Sequence, residues 1–69
     1  MYKIVLHTRY ISDSALADNI DDLDEAKTLL LRLSKELAGE WLRLSDVEYK
    51  SYSYNNERYD PTYLKILSL

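Results

Sequence analysis

Apolar and polar positions alternate strictly at the start of the chain. Tyr2, Ile4, Leu6, Thr8 and Tyr10 fall on one side; Lys3, Val5, His7 and Arg9 fall on the other. A period of two with one apolar side predicts a β-strand with one buried face and one face open to solvent. The pattern then lapses. Residues 11–21 are rich in Ser, Asp and Asn and read as a long connection, with a turn or a short extra strand around Ala15 to Ala17.

From residue 22 the period becomes helical. Leu23, Ala26, Leu30, Leu33, Leu37 and Trp41 recur every three or four positions, and Leu29 widens the stripe. Asp22 is placed to cap the first-turn N–H groups, with Glu25 three residues on in capping-box spacing. Asp24 and Glu25 suit the positive end of the helix dipole, and Arg32 and Glu36 are spaced as an i,i+4 pair. Gly39, the only glycine, stands where a left-handed cap would close the helix. A helix over about residues 22–38 follows. Leu31 falls outside the stripe, as an ordinary exposed leucine or as a contact with a second subunit.

The period returns to two from Glu40. Leu42 and Leu44 alternate with Arg43, then Val47 and Tyr49 with Glu48 and Lys50. Parity slips between Tyr49 and Tyr52, so a bulge re-aims the strand or both faces carry tyrosine. Asn55-Asn56 reads as a tight hairpin turn, because Asn tolerates positive φ. After Asp60-Pro61, Tyr63 to Leu69 read as a final strand whose start Pro61 confines to an edge or bulge; a short helix capped by Asp60 is the alternative. The expected architecture is α+β: a small two-layer sandwich in the order β-α-β-β, one helix packed on a three-stranded sheet, with residues 1–69 forming a single domain.

Composition adds a candidate surface. Five of the seven tyrosines lie between residues 49 and 63, and phenylalanine is absent. A core has no use for the phenolic hydroxyl, whereas a binding surface gains from a large ring with a polar tip and few torsions. Tyr49, Tyr52, Tyr54, Arg58 and Tyr59 are therefore the expected protein-binding residues of a tyrosine-rich hairpin. The net charge of −3 is localised. Asp13, Asp18, Asp21, Asp22, Asp24 and Glu25 crowd residues 13–25 without one base, while bases outnumber acids elsewhere. Helix capping accounts for Asp22, Asp24 and Glu25. Asp13, Asp18 and Asp21 are left as an acidic patch able to steer a basic partner.

The same inventory excludes much chemistry. Without cysteine there is no disulfide, thiolate metal site or thiol nucleophile. His7, the one histidine, has no recognisable Ser and Asp partners for a triad. One glycine cannot build a phosphate-cradling loop, and the acidic window lacks the central glycine of a calcium loop. No catalytic residue, metal or cofactor is expected. The first ten residues do not form the basic and apolar segments of a signal peptide, and no apolar run approaches a membrane span. A cytoplasmic location without membrane contact is the resulting expectation.

The expected function is that of a small non-enzymatic protein-protein interaction module. By analogy of size and composition alone, it is comparable to phage-type inhibitors that occupy a host protein surface. A homodimer is a second expectation, since a core this small usually needs support from another chain. The alternative is a single-stranded nucleic-acid-binding protein that stacks bases on the same tyrosines. Glu48, Glu57 and Asp60 around them disfavour phosphate.

Overall fold

The order of elements departs from that expectation. In the computed structural model, which describes residues 1–8, 13–54 and 61–69, the chain forms β1 (Tyr2–His7), β2 (Ser14–Ile20), α1 (Leu23–Glu36), β3 (Leu42–Ser45), β4 (Glu48–Ser51) and β5 (Thr62–Ser68). The strands make one five-stranded sheet in the order β2-β1-β5-β4-β3, and every neighbouring pair is antiparallel. The three-stranded β-α-β-β arrangement is thus corrected to a five-stranded β-β-α-β-β-β sheet with one helix.

Two strands account for the difference. Ser14–Ile20 is a full strand, longer than the short strand around Ala15 to Ala17 that is one of the two readings of this connection. Its sequence, Ser-Ala-Leu-Ala-Asp-Asn-Ile, hides it because only Ile20 is buried. Its pairing with β1 is interrupted on both sides of Ile4, and Asp13 and Asn19 take positive φ of 54° and 55°. Asp and Asn are the non-glycine residues that tolerate this conformation best. The second difference is that residues 42–51 are a hairpin, not one strand. It turns at Asp46 and Val47, with a register break between Arg43 and Ser45. Neither turn residue has positive φ, so the hairpin carries none of the Asn-Gly signal of the primed turns.

The helix matches its sequence signals closely. Asp22 is the N-cap, its backbone extended and its carboxylate accepting from the Asp24 N–H at 3.1 Å. Arg32 Nε donates to Glu36 at 3.1 Å. The helix ends sooner than expected, at Glu36, with Leu37 as an extended cap whose N–H donates to the Leu33 carbonyl. Asp22→Ala should lower stability by about 1 kcal/mol, read as a shift in the urea midpoint at unchanged slope. An unchanged midpoint would mean that the cap is not needed.

Ile4, Ile20, Ala26, Leu30, Tyr49 and Leu64 form the buried core between helix and sheet, flanked by Tyr2, Leu6, Ala17, Leu29, Leu33, Leu37, Trp41 and Ile66. The final segment is a strand, as read, but it occupies the sheet's centre between β1 and β4. Pro61 precedes it and so removes no bond from its interior. The helix leans on β5, β1 and β2 and leaves the edge strand β3 exposed. No helix among the described residues is long and apolar enough to cross a membrane.

Candidate binding surface

The sheet has a second face on which no described element lies. Strand register assigns its residues, because residues directly opposite in neighbouring strands share a face. One row runs Leu42, Lys50, Tyr63, His7, and the next runs Glu48, Lys65, Val5, Ala15. Lys3 and Leu67 are paired beyond them. This face therefore gathers Lys3, Lys50 and Lys65 around Tyr63, Val5 and Leu67, with Glu48 the one acid in those rows. Val5 was expected to meet solvent and is instead fully buried, walled in by Ala15 and Lys65 on either side of it. The long lysine stems cover apolar surface while their ammonium groups stay in water.

At one end of this face the aromatic groups are already engaged. The Lys50 ammonium lies 5.0 Å from the Tyr52 ring centroid, which places Tyr52 on the open side. Hydrogen bonding to Tyr52 is the main reason that Lys50 is held above the ordinary lysine value of 10.5; partial desolvation opposes it, and the nearby oxygens of Tyr52, Tyr63 and Glu48 add to it. A raised lysine favours the folded state fully below 10.5 and loses that contribution as pH climbs through the higher folded value. Lys50 is thus cationic throughout the neutral range. Tyr52→Phe should bring its titration, followed by NMR at the ε-carbon, back down towards 10.5. No movement would assign the cause to other neighbours.

Tyr63 is tilted 53° against His7 with centroids 6.3 Å apart. His7 Nδ1 is 3.4 Å from the Asp13 carboxylate, close enough for an ion pair but out of line for a hydrogen bond, so this buried nitrogen has no bonding partner.

The expected site residues scatter. Tyr49 lies in the core, 7% exposed, because its register opposite Leu64 turns it towards the helix. Tyr52 is exposed. Tyr54 is half-buried and packs at a tilt on Trp41, with ring centroids 5.6 Å apart; the Trp41 indole N–H is buried without a hydrogen-bond partner. Arg58 and Tyr59, with the Asn55-Asn56 turn, lie outside the described residues. Asp13 stands beside His7, at the same end of the sheet as Tyr52. Asp18 and Asp21 are exposed near the opposite end of the β2 edge. The tyrosines and most of the acidic patch therefore do not form one surface. Sequence reasoning missed Lys3, Lys65 and Tyr63, although strand parity within β1 already set Lys3 apart from Ile4.

On the helix side, the β3–β4 hairpin and α1 border an open groove of about 460 Å³, lined by Lys27, Thr28, Leu31, Arg43, Asp46 and Tyr49. Leu31, outside the apolar stripe, faces this groove. Asp46 pairs with Arg43 and lies 4.0 Å from Lys27, so the two cations there share one carboxylate. Among the described residues, no three His, Asp or Glu side chains come together as metal ligands. No protein-family model, curated protein or solved structure matches the chain.

Proposed function

We propose that this chain is a non-enzymatic binding module that presents the open face of its sheet to a protein partner. The supporting observation is charge segregation. Lys3, Lys50 and Lys65 share one face with Tyr52, Tyr63 and Leu67, while Asp18, Asp21, Asp22, Asp24 and Glu25 lie along the β2 edge and the helix start. A half-apolar centre with a charged surround has the make-up of a protein interface, and three lysines suit an acidic partner surface. In this reading Tyr52, which is exposed, serves as an anchor, and the buried Tyr49 does not.

Three lysines beside two tyrosines also favour a second reading, stacking of a single strand of nucleic acid. Against it, Lys50 already lies over one face of the Tyr52 ring. Glu48 between the lysines would repel phosphate.

The two readings separate in one set of measurements. A partner captured from the native host should lose affinity for Tyr52→Ala and Lys65→Glu by about 2 kcal/mol each if both are hot spots, with circular dichroism unchanged. Labelled single-stranded oligonucleotides should not bind at physiological salt. Sub-micromolar, steeply salt-dependent oligonucleotide binding, lost in the same two variants, would replace the protein reading with the nucleic-acid one.

A further inference from the structure

The two edges of the sheet are unlike. β2 is protected in the ways that discourage another strand from adding: kinks with positive φ at Asp13 and Asn19, two breaks in register, and the exposed charge of Asp18. β3, the other edge, carries Leu42 and Leu44 at 57% and 49% exposure. It has no proline and no positive φ. Its one break in register, between Arg43 and Ser45, falls at Leu44 and leaves Leu42 and Arg43 in regular pairing.

We propose that β3 pairs antiparallel with β3 of a second copy of this chain, about a two-fold axis at Arg43, joining two sheets into one of ten strands. The occupant follows from the self-complementarity of Leu42-Arg43-Leu44. With Arg43 opposite its own mate, each Leu42 lies opposite the partner's Leu44, and strand periodicity puts all four leucines on one side. That side is the open face, because Leu42 is opposite Lys50. The most exposed apolar residues of β3 would then cover one another. The two Arg43 side chains meet on the helix side, where each is already paired with Asp46 of its own chain, so the like charges are offset. A partner of different sequence would need to supply both leucines; a second copy supplies them by symmetry. The contact also extends the basic open face across two copies without covering Lys3, Lys65 or Tyr63, and it does not depend on the proposed function.

The absence of native cysteine makes the register directly readable. Facing Cα atoms in an antiparallel pair are about 4.5 or 5.5 Å apart, within the roughly 4.4–6.8 Å that a disulfide spans. Arg43→Cys should therefore oxidise with diamide to a covalent dimer. Leu44→Cys, whose mate lies diagonally across the axis, should remain monomeric under the same treatment. Sedimentation of the native chain should show a monomer–dimer equilibrium. Its dissociation constant should rise on the order of 30-fold or more in the double variant Leu42→Lys, Leu44→Lys, with circular dichroism unchanged. A native chain that stays monomeric to millimolar concentration overturns the proposal, as does an unchanged equilibrium in the double variant. Cross-linking through Leu44→Cys rather than Arg43→Cys overturns the register. Loss of partner capture by Lys65→Glu leaves the dimer intact, so the two proposals fail separately.

Discussion

Leu64→Ala should destabilise the chain by about 2–5 kcal/mol, the range for emptying a well-packed leucine site. A domain of 69 residues holds roughly 3–10 kcal/mol in all, so much of the population should be unfolded at 37 °C. Leu64 has no exposed surface and lies opposite Leu6 on β1 and Tyr49 on β4. Its loss opens a gap where the two halves of the sheet meet beneath the helix. Leu69→Ala, five residues along the same segment, is the comparison. Leu69 is 67% exposed, and its truncation should stay within about 0.5 kcal/mol. Urea denaturation of both variants tests the placement of β5: equal shifts would be incompatible with a central strand.

Gly39→Val should cost about 2 kcal/mol or more, and for a reason other than helix capping. Gly39 lies beyond the cap residue Leu37 and takes φ of +99°, where a β-branched residue is strained. A Cβ there would also come within 3.0 Å of the Tyr54 backbone and 3.1 Å of Ser51 Oγ. The tightness has a visible cause. The Glu40 N–H donates to Ser53 Oγ at 2.8 Å, and the Ser53 N–H donates to Ser51 Oγ at 3.2 Å, drawing the helix–β3 connection onto the end of β4. Gly39→Asn separates the two effects, since Asn tolerates positive φ but still carries a Cβ. It should recover only part of the loss. Full recovery in thermal melts would leave backbone strain as the whole explanation.

These cases show where the sequence was readable. Helix α1 carried redundant signals, namely the Asp22 cap, the leucine stripe and the Arg32–Glu36 pair, and each appears in the structure. β1 and β5 were readable as strands because each buries one side. The place of β5 in the sheet was not, since nothing local states which strands will flank it. β2 showed only as a turn or short strand around Ala15 to Ala17, because an edge strand with one buried residue has no amphipathic pattern to display. The β3–β4 hairpin escaped because its turn, Asp46-Val47, uses neither glycine nor positive φ. For the candidate surface, tyrosine content did not separate the two faces of the sheet: Tyr49 faces inward by parity, whereas Tyr52 is exposed. Lys3, Lys50 and Lys65 come from three separate strands, and only the sheet order makes them neighbours.

The position of β5 also bears on how the chain is made. Of the five strands it is the last to leave the ribosome, yet it alone joins β1 to β4. Until it emerges, the β1–β2 hairpin and the β3–β4 hairpin each present an unpaired inner edge, with Ile4 and Tyr49 still uncovered by their final neighbours. The sheet then closes through contacts that span nearly the whole sequence, Tyr2 against Ser68 at the extreme, and contacts so distant along the chain form slowly. A nascent chain from which β3 and β4 have emerged but β5 has not would hold two half-sheets with matching open edges. The interval before β5 emerges is therefore when this protein is most exposed to pairing with the wrong strand.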